Sequence, residues 1–301
     1  MPDWISTLLD LLAQFTGGRP PDGPPIAWYG IAAAGWTILL IVALYRQKRH
    51  KSPREALLVW AFAFGLGREA VMIGLKGAVA FGLLDDVSAH VLYPPLEHML
   101  QNIAMVVIAA AFARFVTEKA DFSNAYLRIG IGLMVSSYLA TFWWWAAFIR
   151  ANPNAKFGHT WCDWVFHSIM SALLFVAIVS LLKSPRSRIR NWSCAALALF
   201  FIFEFLKLPD IATHEIHSTI YSPLRHGCYL LAIPMLGMVY IRELIAEMDS
   251  TVATLDSSVA EKTRELTNAL AELEGELAER KRIERELIDT RDTALAATRM
   301  K

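Results

Sequence analysis

The sequence predicts an all-α protein, a bundle of seven transmembrane helices continuing into a long cytoplasmic, parallel, dimeric coiled coil. Three observations lead there. The 301 residues are 55% hydrophobic with a mean hydropathy of +0.38, too apolar for a soluble domain with a polar surface. Seven apolar stretches each approach the roughly 20 residues that a helix needs to cross a bilayer. Residues 241–301, by contrast, are rich in Glu, Arg, Lys, Ala and Leu and contain no Pro, aromatic or Cys residue. The formal charge of +1 averages these two unlike parts, which meet near Tyr240 without linker composition between them.

Residues 1–25 come first. Trp4–Phe15 is apolar at helical spacing but too short to span. It lacks a basic n-region and a small-residue cleavage site, which argues against a signal peptide and for an extracytoplasmic interfacial helix. The Gly- and Pro-rich run 17–25 then turns the chain into the membrane. Residues 26–244 are expected to form a seven-span membrane domain, with spans at about 26–46, 55–80, 90–116, 125–149, 160–182, 191–208 and 223–244. Every second loop is basic: Arg46–Lys51, then Arg114 with Lys119, then Lys183, Arg186, Arg188 and Arg190. The alternate loops carry Asp85-Asp86, Asn152–Asn154 and Asp210–Tyr221 instead. The positive-inside rule places the N-terminus outside and the C-terminus in the cytoplasm, a parity that seven spans satisfy. The expected location is a cytoplasmic (inner) membrane. Trp28, Trp143, Trp144, Trp145, Trp161 and Trp164 fall near the outer span ends, where amphipathic rings favour the interface with lipid headgroups.

Polar residues within spans are costly and therefore informative. Arg68 and Glu69 lie mid-span in the second stretch, and Glu97 and His98 follow Pro94-Pro95 in the third. Adjacent helical residues point about 100° apart, so Glu97 and His98 are not expected to face one centre. His159, Asp163 and His167 are each four apart, which on a continuous helix stacks them on one face over about 12 Å. Glu204 and Lys207 lie in the sixth span, His214, Glu215 and His217 in the loop beyond it, and His226 opens the seventh. Seven of the eight histidines, His90, His98, His159, His167, His214, His217 and His226, thus fall on the outer side, and His50 on the inner.

Imidazole is the commonest protein metal ligand. The candidate metal ligands are Glu69, Glu97, His98, His159, Asp163, His167, Glu204, His214, His217 and His226. Mixed His and carboxylate suits Zn, Fe or Mn better than Cu, whose cuprous form favours thiolate and thioether. Bis-His haem would need facing helices, and His98 with His167 is the best cofactor pair by depth. Carboxylate-bridged di-metal bundles use Glu-x-x-His pairs, which this chain lacks. The structural alternatives are an Asp–His hydrogen bond that stabilises the bundle, a Glu69 ion pair with Arg68, Lys76 or Lys207, and solvated loop histidines. Cys162, Cys194 and Cys228 show no CxxC spacing. The lack of Lys between Pro223 and Leu244 argues against a retinal-type receptor.

In residues 245–301, apolar or small residues recur at Ile245, Met248, Val252, Leu255, Val259, Leu266, Ala269, Leu273 and Leu277, and again at Ile283 and Leu287. This is the alternating three-and-four spacing of a two-helix seam, flanked by charge. Ala260–Glu274 resembles the signalling helix that precedes output domains in bacterial sensor kinases and diguanylate cyclases. Glu284–Lys301 resembles the lead-in to the dimerisation and phosphoacceptor domain of sensor histidine kinases, including hybrid ones. The resemblance implies a two-component system, with ATP-dependent phosphorylation of a histidine and transfer to a response regulator. Residues 1–301 contain no nucleotide-binding glycine loop and no His in the coiled coil. The expected object is therefore the homodimeric input and transmission part, ending before the phosphoacceptor domain, with no nucleic-acid partner. Two alternatives stand beside it. One is a sensor of an apolar ligand, quinone or pH without metal, and the other a metal-dependent membrane enzyme assembled by its coiled coil.

Overall fold

A computed structural model describes residues 26–185, 187–212 and 218–299. The expected interfacial helix within 1–25 lies outside the described residues. Eight α-helices follow in order: α1 (Ile26–His50), α2 (Pro53–Ala80), α3 (Asp86–Thr117), α4 (Ala120–Ala151), α5 (Trp161–Leu182), α6 (Arg188–Phe205), the short α7 (Lys207–Ala212) and α8 (Ser218–Arg299). A 3₁₀ turn, Phe157–His159, precedes α5. No strand occurs among the described residues. Seven of these helices, all but α7, are long and apolar enough to cross a membrane.

Local chemistry sets the breaks. Ser52 caps α2 by accepting the Glu55 amide at 3.2 Å, and Pro53 occupies the first turn, where a missing N–H costs nothing. Asp85 caps α3 by accepting the Ser88 amide at 2.8 Å. Hydrogen bonds from Ser88, side chain and backbone, hold the Asp85 carboxyl below its ordinary pKa. Glu118 ends α3 in the left-handed region at φ 59°. The sixth expected span is one apolar stretch, Arg188–Pro209, with a turn at Leu206 between α6 and α7.

Contacts divide the chain at Ile241–Arg242, close to the boundary expected at 244/245. In the first unit α3 is central, packing on α2, α4, α5 and α6. Its residues 101–113 are all buried. Close backbone approach and polar contacts join these helices. Gly130 lets α4 approach Val106 so closely that an added Cβ would lie 2.7 Å from its Cγ1. Gly65 likewise receives the buried Trp36 ring. Pro94 lacks the N–H that would bond the His90 carbonyl, and Trp145 Nε1 of α4 donates to that oxygen at 2.8 Å instead. At the basic-loop end, the Tyr240 hydroxyl donates to Glu55 Oε2 at 2.6 Å and Arg46 pairs with Glu55 Oε1 at 3.1 Å. The outward surface is apolar, with Ile38, Ile41, Trp60, Ile129, Leu139 and Phe175 exposed. Such a surface suits lipid rather than water.

In the second unit, residues 242–301, the α8 segment carries the apolar stripe of the expected seam. Val252, Leu255, Val259, Leu266, Leu273 and Leu277 are each more than half exposed.

Candidate functional site

At the end of the bundle away from the basic loops, α3, α5 and α6 bring polar side chains into the core. Asp163 and His167 lie one turn apart on α5, and His98 reaches them from α3. His98 Nε2 stands 2.7 Å and His167 Nε2 3.2 Å from the same oxygen, Asp163 Oδ1. Asp163 and His167 are 0% and 1% exposed at their side chains, and His98 19%. The three donor atoms lie within 4.8 Å of one another, a group able to hold a metal ion.

The remaining ring nitrogens fix the tautomers. His98 Nδ1 meets the Pro94 carbonyl at 2.8 Å, and a carbonyl only accepts, so Nδ1 carries the proton. His167 Nδ1 meets Glu204 Oε2 at 2.5 Å and donates to that carboxylate. In neutral imidazole both lone pairs are therefore on Nε2, aimed at one carboxylate oxygen. Lone pairs and a carboxylate repel one another unless a proton on Nε2, which makes each contact a His–Asp ion pair, or a metal cation lies among them. Consistently, Asp163 Oδ1, Asp163 Oδ2 and His167 Nε2 are buried without a hydrogen-bond partner, although unpaired polar atoms in an apolar interior cost about 1–3 kcal/mol each. Lys207 Nζ, at the start of α7, is 3.6 Å from Asp163 Oδ2. Gly158 leaves room for it, since a Cβ there would lie 3.2 Å from Nζ.

A second polar network adjoins the first. Arg68 of α2 pairs with Glu69 Oε2 at 2.6 Å and with Glu97 Oε1 at 3.0 Å. It also donates to Gln101 Oε1 at 2.8 Å. Tyr229 of α8 donates to Glu69 Oε1 at 2.9 Å, and Tyr29 of α1 donates to Glu97 Oε1 at 2.8 Å. The Tyr29 and Tyr93 hydroxyls meet at 2.5 Å. Gln101 joins the two networks, because its Nε2 donates to Glu204 Oε1 at 3.2 Å. A continuous polar chain thus runs His98–Asp163–His167–Glu204–Gln101–Arg68–Glu69–Tyr229.

The predicted ligands separate into groups. His98, Asp163 and His167 converge. Glu204 contacts His167 on its outer nitrogen, away from Asp163. Glu69 and Glu97 face Arg68, so Glu69 takes the ion pair expected among its alternatives, and Glu97 and His98 diverge as adjacent helical residues should. His159 is not stacked with Asp163. It lies in the 3₁₀ turn and is exposed, and the extended backbone of Thr160 (φ −110°, ψ 162°) breaks the four-residue periodicity. His226 packs between Trp28 and Phe203, with ring centroids at 5.4 and 6.2 Å. Its Nδ1 bonds the Ser222 carbonyl at 2.8 Å. His214 and His217 lie outside the described residues. Gln101, Tyr29, Tyr93 and Tyr229 were not anticipated, since neutral polar residues in a span carry little sequence signal. Only the burial of charged Arg68 hinted that such partners exist. No protein-family model, curated protein or solved structure matches the chain.

Proposed function

We propose that this chain is the membrane-embedded input and transmission part of a bacterial two-component sensor histidine kinase. Its input is a divalent transition metal ion held by His98, Asp163 and His167. The observation that carries the reading is the pair of Nε2 atoms turned on one buried carboxylate oxygen. Each Nδ1 is already held by an acceptor, the arrangement by which protein metal sites orient histidine ligands. Two nitrogens and one oxygen suit Zn, Fe or Mn. The His98 and His167 rings meet edge to face with centroids at 5.2 Å. Asp163 lies against both Nε2 atoms, so a single ion suits the site better than a haem plane between the rings.

In this reading the N-terminus is extracytoplasmic, the basic loops and residues 242–301 are cytoplasmic, and the membrane is the inner one. Positive charge gained or lost beside Asp163 changes the field on Glu204. Gln101 passes the change to Arg68, and Glu69 passes it to Tyr229 on α8. Downstream, the exposed stripe of α8 pairs with a second copy as a parallel coiled coil. Its movement sets the activity of the kinase domains and thus of a response regulator.

The test is elemental analysis of detergent-purified protein prepared without chelators, beside His98→Ala and His167→Ala variants, with signalling read after fusion to a kinase core. Stoichiometric metal and signalling, both lost in the variants, are expected. A metal-free protein that signals normally with His167→Ala would overturn the proposal.

A further inference from the structure

Among the described residues the cluster offers a metal ion three ligands, and the surroundings indicate what completes them. We infer that the ion is ferrous iron and that a neutral diatomic molecule, of the class of nitric oxide or dioxygen, binds directly to it. This rests on the reading above that His98, Asp163 and His167 hold a divalent ion.

The geometry supports coordination first. For metal–ligand bonds of about 2.1 Å, neighbouring ligands lie about 3.0 Å apart at right angles and about 3.4 Å apart in a tetrahedron. The His167–Asp163 separation, 3.2 Å, is of that size, and the His98–Asp163 separation, 2.7 Å, lies about 0.3 Å below it. The ligand count follows. Glu204 is occupied at both oxygens, by His167 Nδ1 and Gln101 Nε2. Glu97 is held by Arg68 and Tyr29. Lys207 brings a positive charge and, as an ammonium, no lone pair. Among the described residues, the metal-capable group is these three side chains. First-row divalent ions take four to six ligands, so the described residues leave between one and three positions open. Two histidines and one carboxylate with open positions is the donor set that non-haem ferrous iron uses to take small exogenous ligands.

The surroundings limit the size and charge of that ligand. Asp163 and His167 are sealed, whereas His98 and Lys207 retain 19% and 17% side-chain exposure, so entry lies along those two residues. Phe157 and Phe166 stand 5.2 and 5.7 Å from the His98 ring and make that face apolar. This half-buried approach with an apolar flank suits a small neutral molecule. Binding forms one bond to iron and releases one bound water, with no outside electron donor. The Lys207 ammonium then offers a hydrogen bond to a ligand that draws electron density from the metal.

The intact protein in detergent is loaded anaerobically with one equivalent of ferrous iron and titrated with nitric oxide. The product is read by electron paramagnetic resonance as the half-integer-spin ferrous nitrosyl. One nitrosyl per iron is expected, lost with the iron in His98→Ala and His167→Ala. Lys207→Met should keep its iron but release nitric oxide faster, on the order of tenfold, as one charge-assisted hydrogen bond is removed. Stoichiometric iron without a nitrosyl, or retention of zinc with rejection of iron, overturns this inference and leaves the metal-input reading standing. A nitrosyl that persists in both histidine variants also overturns it, by placing the iron elsewhere. Failure to retain any divalent metal overturns both.

Discussion

Glu204→Gln is the sharpest perturbation of the polar chain, because the partners on both sides of Glu204 have fixed polarity. Glu204 Oε2 accepts from His167 Nδ1 and Oε1 accepts from Gln101 Nε2. Gln101 cannot turn its amide around, since its Oε1 already accepts from the buried Arg68 guanidinium at 2.8 Å, which only donates. An amide at position 204 would keep a carbonyl toward His167 and bring its NH₂ against the Gln101 NH₂. One buried donor is then unsatisfied, at a cost of about 1–3 kcal/mol. The same change removes the charge that supports His167, and loss of such an outer partner typically lowers metal affinity about 10–100-fold. The exchange Gln101→Glu with Glu204→Gln separates the two effects. The carboxylate at 101 accepts from Arg68 and from the new amide, while that amide's carbonyl still accepts from His167. Every donor is satisfied, but the charge beside His167 is gone. Thermal unfolding in detergent should therefore show the single variant destabilised and the exchange largely restored. Competition with a chromophoric chelator should show weakened metal binding in both. Equal stability of wild type, single variant and exchange would refute the continuous chain from Glu204 to Arg68.

Other outcomes follow from particular contacts. Gly65→Ala puts a Cβ 2.8 Å from the Trp36 ring and should cost about 1–3 kcal/mol by overpacking. Gly67→Ala, with nothing within 4 Å, should be neutral or gain up to about 1 kcal/mol, and both are read by thermal unfolding. Tyr229→Phe removes the hydroxyl that bonds Glu69 and should leave metal content unchanged. It should abolish the metal-dependent change in α8, measured with spin labels or through a fused kinase. Val252→Glu with Leu255→Glu places charge in the exposed stripe and should leave the bundle folded but shift the protein from dimer to monomer in sedimentation.

Much of the fold was legible because a span must satisfy its own backbone and cover itself with apolar side chains. That requirement writes roughly 20 apolar residues per helix into the sequence, whatever the helices pack against. One departure has a local cause: counting fours from His159 to His167 assumes an unbroken helix, and Thr160 is extended. The sixth span reads as one piece, and Arg188–Pro209 is one apolar stretch interrupted only at Leu206. Pro94-Pro95 marked an irregularity in α3 but not its consequence, because the donor that takes the freed His90 carbonyl is Trp145, 55 residues away. The seam beyond Ile245 was legible as a pattern, and it remains an exposed stripe in the single chain.

The site divides along the same physical line. Arg68, Glu69, Glu97, His98, Asp163, His167 and Glu204 could be identified singly, since ionisable groups in a span are expensive. Which ones meet depends on how each helix is rotated, and the sequence does not state that rotation. His98 and Asp163 are 65 positions apart, and Gln101 and Glu204 are 103 apart. The neutral members were invisible for a related reason. A buried Gln or Tyr hydroxyl costs far less than a charge, so its presence in a span does not demand a partner. Yet Gln101 gives the assembly its direction, with its oxygen committed to a cation and its nitrogen to an anion. A residue that can face both ways joins the acidic histidine site to the arginine network without reversing either, and no charged residue at that position could do the same.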